Sequence, residues 1–326
     1  MYKVENFSLW CDFIERDFLR GEFIELLDKQ VFNGATSNPS IFKSAFLTSP
    51  AYREDREKLK GLEAKEIYER LAVEDIKKAA KTLKPLYNSS NDGFISIEVD
   101  PRLCFEAEAT IEEGRRLFKE IGFENVMIKV PATKAGYVAM EALMSEGIHV
   151  NATLIFSPSQ AKKCIEAFDR ATKSLRGKSK LPQGVISVFV SRFDSKLDSK
   201  LKELNLPTAK VGIYNAIKIY DIIESYELKN IRTLFASTGV KSDDLEADYY
   251  IKELLLKNSV NTAPLGTIKA FISSGDATEV AFSRDYVEFF KILEKNGIDM
   301  QEVYDELLKN GLDAFRDAFK EIMDEF

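Results

Sequence analysis

A lysine inside an apolar run is the first residue here with chemistry to offer. Lys129 stands in VMIKVP, residues 126–131, where burial makes an unpaired ammonium costly and so favours the free, nucleophilic amine. The other reading is a strand-end lysine carrying its charge to water on its alkyl stem, and the run taken alone favours that one. Glu98 ends a second apolar run, ISIE. A carboxylate beside an amine that forms an iminium is the pairing proton transfer needs; a plain ion pair with Lys129 is the alternative. Asp12, after LWC, is either a second acid from another side of the fold or the N-cap of the helix that follows. In GATSNPSIF, residues 34–42, Pro39 keeps Asn38 out of the helical region, an ordinary polar turn if read by itself.

Such residues act together only if the backbone brings them together. Short apolar or β-branched runs alternate with longer amphipathic stretches, the pattern of βα units around a parallel sheet. The predicted strands are 8–12, 30–35, 93–98, 125–130, 148–155, 184–190, 232–236 and 259–263. Predicted helices between them include 110–121, 158–174 and 210–226, the second opened by Ser157 as N-cap and Pro158 in its first turn. Eight strands with intervening helices predict an α/β fold, a single (β/α)8 barrel of TIM type over residues 1–326. No Pro/Gly/Ser-rich linker or repeat divides it. Extra helices are expected between strands 2 and 3, over 49–88, and in a C-terminal tail, 285–326, packed on the barrel with breaks at Gly297 and Gly311. Charged stretches there, such as REDREK, read as solvated faces. In a parallel barrel, polar residues at the C-terminal ends of buried strands face the active-site mouth. That rule collects Asp12, Asn38, Glu98, Lys129, Asn151, Thr153, Ser187, Arg192 and Ser237, too many to be incidental.

With these residues placed, the chain resembles the transaldolase family. GATSNPSIF is similar to that family's first signature, and VMIKVPAT, residues 126–133, to its second, whose lysine forms a Schiff base. IEVD (97–100), VNATLIFS (150–157) and ISVFVSR (186–192) follow in the family's order, and SLWCD (8–12) and ASTG (236–239) resemble its longer, bacterial-type branch. The resemblance spans nearly the whole chain. It implies transfer of a dihydroxyacetone unit from fructose 6-phosphate or sedoheptulose 7-phosphate to an aldose phosphate, in the non-oxidative pentose phosphate pathway. Lys129 would attack the ketone, Glu98 and Thr153 would pass protons through a water, and Asp12 would take the proton of the C4 hydroxyl. Thr36, Asn38 and Asn151 would hold the substrate, Ser187 and Phe189 would line its pocket, and Arg192 with Ser237 would bind the phosphate. Some members carry an arginine two residues after this serine. Here the position is Gly239, and Lys241 is the candidate replacement.

Composition narrows the field. The 46 Lys and Arg against 53 Asp and Glu leave a net charge of −7, which speaks against non-specific nucleic-acid binding. No apolar stretch is long enough for a membrane span, and the start of the chain lacks the pattern of a signal peptide. Cys11, Cys104 and Cys164 show no metal or redox spacing, so reduced thiols in the cytoplasm are expected. One histidine, His149, out of phase with the chemistry, offers little to a transition metal, and neither GxGxxG nor a Walker-type loop is present. Neither cofactor nor metal is therefore expected; the partners are sugar phosphates, and monomer and homodimer both stay open. A Schiff-base aldolase of the fructose-6-phosphate type, releasing its product to water, is the nearest rival. A barrel serving only as a scaffold has nothing in its favour.

Overall fold

The computed structural model describes residues 3–326. Eight parallel strands close into a barrel in sequence order. They are β1 (Ser8–Cys11), β2 (Gly34–Thr36), β3 (Ile95–Glu98), β4 (Val126–Pro131), β5 (His149–Ile155), β6 (Gly184–Phe189), β7 (Ile231–Ala236) and β8 (Ser259–Ala263). Nearly every strand residue is buried, which is why these strands read as continuous apolar runs rather than alternating ones. β1 closes the barrel by pairing with both β2 and β8.

Two apolar layers hold the fold. One lies between the sheet and the surrounding helices, with residues such as Ile97, Ile128, Val150, Ile186 and Ile219. The other includes Trp10, Met127, Leu154, Phe156, Val185 and Phe189, together with Leu307, Leu312 and Phe315 from the C-terminal helix. The helix Pro158–Ser174 begins as the sequence predicts. Ser157 Oγ accepts from Gln160 N at 3.1 Å while Gln160 Oε1 accepts from Ser157 N at 3.0 Å, a reciprocal cap. Helix Pro39–Thr48 is capped by Asn38, whose Oδ1 accepts from Ile41 N at 3.0 Å.

Two sequence expectations are corrected. The second strand, expected at 30–35, is the short Gly34–Thr36. Val31 and Phe32 are buried, but they pack as a connection after Gln30, whose φ of +55° breaks the extended run. At Gly34 an added Cβ would sit 2.6 Å from the Trp10 ring, so the strand begins where the indole of β1 lies too close for any side chain. The tail is the second correction. It forms helices Tyr286–Lys295 and Met300–Glu325, separated near Gly297 as expected, yet Gly311 lies inside the second. Its missing side chain serves packing: a Cβ there would meet Leu154 Cδ2 at 3.0 Å.

Between β2 and β3 stand the helices Pro39–Thr48, Arg53–Leu59 and Ala64–Asn88. The Met300–Glu325 helix packs against the first and third of these. It is tied down by Lys43–Glu321 at 2.5 Å, Lys196–Glu306 at 2.5 Å and Arg56–Glu325 at 3.3 Å. Among the described residues no helix is long and apolar enough to cross a membrane.

Candidate functional site

Parallel register sets Glu98, Lys129 and Asn151 side by side on β3, β4 and β5. Paired residues of parallel neighbours point to the same face, so all three share one level of the barrel. Lys129 is 5% exposed. Its Nζ donates to Ser37 O at 3.1 Å and lies 3.6 Å from Glu98 Oε2, a charge contact longer than a well-formed hydrogen bond. Both Glu98 oxygens are buried without a protein hydrogen-bond partner. Burial pushes the Glu98 carboxyl up to about 7, with Lys129 pulling against it. On β5, Asn151 Nδ2 donates to Ser96 Oγ at 3.1 Å and Oδ1 accepts from Ser187 Oγ at 2.6 Å. Thr153 is fully buried, and its Oγ1 has no hydrogen-bond partner. The residue after it, Leu154, has φ +58°, where the β5–β6 register shifts. Gln160 Nε2 pins that bulge by donating to Leu154 O at 3.0 Å and to Ala132 O at 3.1 Å.

Asp12 does not cap a helix. The helix Arg16–Arg20 is capped by Glu15, which accepts from Phe18 N at 2.8 Å. Asp12 instead accepts from Thr36 Oγ1 at 2.6 Å, and Thr36 Oγ1 also contacts Thr262 Oγ1 at 2.7 Å. Desolvation pushes the Asp12 carboxyl above its usual range, with the charge of Lys129 and the Thr36 hydroxyl opposing the rise. The lysine therefore acts on two carboxyl groups, both biased by their surroundings toward holding a proton.

A cavity of about 170 Å³ opens at the C-terminal ends of the strands. Of the predicted residues, Asp12, Thr36, Asn38, Lys129, Ser187, Phe189, Arg192, Ser237 and Lys241 line it. Glu98, Asn151 and Thr153 do not. Asn151 sits behind Ser187, and Glu98 faces a second, water-sized space of about 10 Å³ bordered by Tyr68 and Asp100. Arg192 and Lys241 have no carboxylate partner among the described residues; Arg192 lies only over the Phe189 ring, 6.0 Å from its centre. Burial without an acid partner lowers the Arg192 pKa from its usual range. Ser237, at φ +53°, holds its Oγ 3.1 Å from Ser191 Oγ. Two uncompensated cations with a serine on one wall make a place for an anion such as a phosphate.

Sequence reasoning missed four contributors. Thr262 and Ser40 line the cavity, and Thr262 could have been found, because it stands in the C-terminal half of the last strand. The Ser37 carbonyl that accepts from Lys129 is a backbone group with no sequence signal. Phe315 also lines the cavity, its ring centre 5.7 Å from Lys129 Nζ. It comes from the C-terminal helix, which the strand-end rule does not cover. His149, at the N-terminal start of β5, is far along the strand from this mouth. It contacts Tyr87 Oη at 3.2 Å and accepts from Gln183 N at 2.7 Å, and burial depresses its pKa to about 4. Among the described residues no group of three or more His, Cys, Asp or Glu could hold a metal ion.

Comparison with known proteins agrees in one direction. The family described as Transaldolase/Fructose-6-phosphate aldolase matches residues 9–326. A transaldolase of Campylobacter jejuni subsp. jejuni is 50% identical over 329 residues, covering 98% of this chain and 99% of that protein. A transaldolase of Helicobacter pylori is 45% identical over 327 residues, covering 99% of this chain and all of that protein.

Proposed function

The chain belongs to the transaldolase/fructose-6-phosphate aldolase family and has transaldolase function, acting on sugar phosphates; on that premise we propose that it works through a Schiff base on Lys129. The observation that carries this reading is the placement of Lys129. Its amine sits at a cavity wall between Glu98 and Asp12, both with raised pKa, while the unpaired cations Arg192 and Lys241 line the same cavity.

The substrate is a ketose phosphate, fructose 6-phosphate or sedoheptulose 7-phosphate, with its phosphate on Arg192, Ser237 and Lys241. Lys241 takes the place of the cation absent at Gly239. Lys129 Nζ adds to the ketone, and the carbinolamine loses water to give an iminium. Glu98, near neutrality in its pKa, supplies and recovers protons, relayed by Thr153 and a water. The buried oxygens of both residues, without protein partners, suit that exchange. Asp12 takes the C4 hydroxyl proton, the C3–C4 bond breaks, and its electron pair is drawn into the iminium. An aldose phosphate leaves. Asn38 and Thr36 hold hydroxyls of the retained dihydroxyacetone unit, and Asn151, braced by Ser96 and Ser187, holds another. The enamine carbon then attacks an incoming aldose phosphate, and hydrolysis restores the amine. The three free cysteines are all buried, in keeping with a cytoplasmic setting.

The test is product analysis with fructose 6-phosphate and erythrose 4-phosphate. Sedoheptulose 7-phosphate and glyceraldehyde 3-phosphate should form in equal amounts, and Lys129→Met should lose at least about 10⁴-fold in rate. A Lys129→Met variant that keeps its activity excludes the proposed nucleophile.

A further inference from the structure

Granted the Schiff base on Lys129 proposed above, we infer that Phe315 decides what becomes of the retained ketol fragment: its ring shields the enamine from water, so that the fragment is transferred rather than released. After cleavage the enamine carbon has two fates. It attacks an aldehyde, forming a C–C bond, or it takes a proton from water, forming C–H. In the second case the resulting iminium adds water, the C–N bond breaks, and free dihydroxyacetone and the lysine amine are regenerated. Which fate wins depends on how many water molecules reach the carbon during the lifetime of the enamine.

Phe315 is placed for that role. It is 5% exposed, lines the substrate cavity, and holds its ring centre 5.7 Å from Lys129 Nζ. An aromatic face at that distance favours a cationic nitrogen, as ammonium or iminium, while leaving no hydrogen-bonding site for water. The other cavity walls are barrel strands and the loops and helix starts that directly follow them, such as Ser40 and Arg192; Phe315 arrives from the C-terminal Met300–Glu325 helix, which follows no strand directly. Gly311 is what lets it reach. One helical turn before Phe315, on the same face, it brings the helix backbone against Leu154 and Phe156, where an added Cβ would lie 3.0 and 3.4 Å away. The Lys43–Glu321 pair at 2.5 Å holds the helix beyond Phe315. The ring is thus fixed over the amine by close packing on one side and an ion pair on the other.

The experiment compares two rates in the full chain. One is dihydroxyacetone release from fructose 6-phosphate with no acceptor present, and the other is transfer to erythrose 4-phosphate. Phe315→Ala should raise the ratio of release to transfer at least tenfold. If the alanine variant does not fold, Phe315→Val, which also removes the ring, is read the same way. Leu307→Ala loosens the same helix at a residue outside the cavity and should leave the ratio within about twofold of the parent. An unchanged ratio in the Phe315 variant, or an equal rise in Leu307→Ala, overturns the shielding role. Borohydride reduction of the parent and both variants separates this outcome from failure of the Schiff base itself: an adduct on Lys129 with an unchanged ratio rejects only the role of Phe315, whereas no adduct in the parent rejects the lysine intermediate.

Discussion

Replacing Glu98 by glutamine gives a prediction whose size follows from the site. The side chain is almost wholly buried, its oxygens lack protein hydrogen-bond partners, and its nearest cation is 3.6 Å away. Burial outweighs the attraction of Lys129, so the carboxyl rises from its usual 4.5 to about 7. Between those two pH values the folded chain keeps a proton that the unfolded chain has released. Parental stability therefore falls as pH rises through the window, and Glu98→Gln escapes that loss. A shift from 4.5 to about 7 corresponds to about 3 kcal/mol. Urea unfolding of both proteins, at fixed pH values from 4.5 to 8, should show the stability difference moving toward the variant by that order and levelling off above neutrality. The same variant should be slower by about 10²–10⁴-fold in kcat and should lose the limb of its pH–rate profile near pH 7 that follows from the raised Glu98 carboxyl. A stability difference that stays flat with pH, or moves toward the parent, refutes the reasoning that burial dominates this carboxyl.

Other perturbations test other parts of the site. Asp12→Asn should lower kcat by about 10²–10⁴-fold while leaving a lysine adduct trappable, because Asp12 acts after the iminium forms; mass spectrometry of the reduced protein checks this. Arg192→Ala should raise KM for fructose 6-phosphate by roughly tenfold to a hundredfold through loss of a charge-assisted contact, with a much smaller effect on unphosphorylated fructose, read from steady-state kinetics. Gly34→Ala drives a Cβ to within 2.6 Å of the Trp10 ring and should destabilise the fold by about 1–3 kcal/mol, measured by denaturant unfolding.

The barrel was legible because its strands are buried on both faces and its helices on one, a contrast that the pattern of apolar residues carries. The residues at the strand ends followed from the same contrast: a polar side chain in an apolar run has to be explained, and Lys129 and Glu98 were explained by each other. What the sequence did not carry was distance. The short β2 depends on Trp10 crossing Gly34, a contact between residues far apart in the chain. Gly311 reads as a helix break by local rules, yet it marks where the last helix presses on β5. Phe315 was invisible for the same reason, since an apolar residue on an amphipathic helix gives no sign of covering an amine. Asp12 offered a cap and an acid on equal terms, and the Glu15 cap of the following helix together with the hydroxyl of Thr36, from the next strand, separates them.

The most direct test of the central claim is borohydride trapping. The chain is incubated with fructose 6-phosphate, reduced, weighed intact and digested. A covalent increment of the size of reduced dihydroxyacetone, confined to the peptide that holds Lys129 and absent from Lys129→Met, is the predicted result. An unmodified mass in folded protein, alongside a control enzyme that traps normally, would contradict the Schiff base at Lys129 and the mechanism built on it.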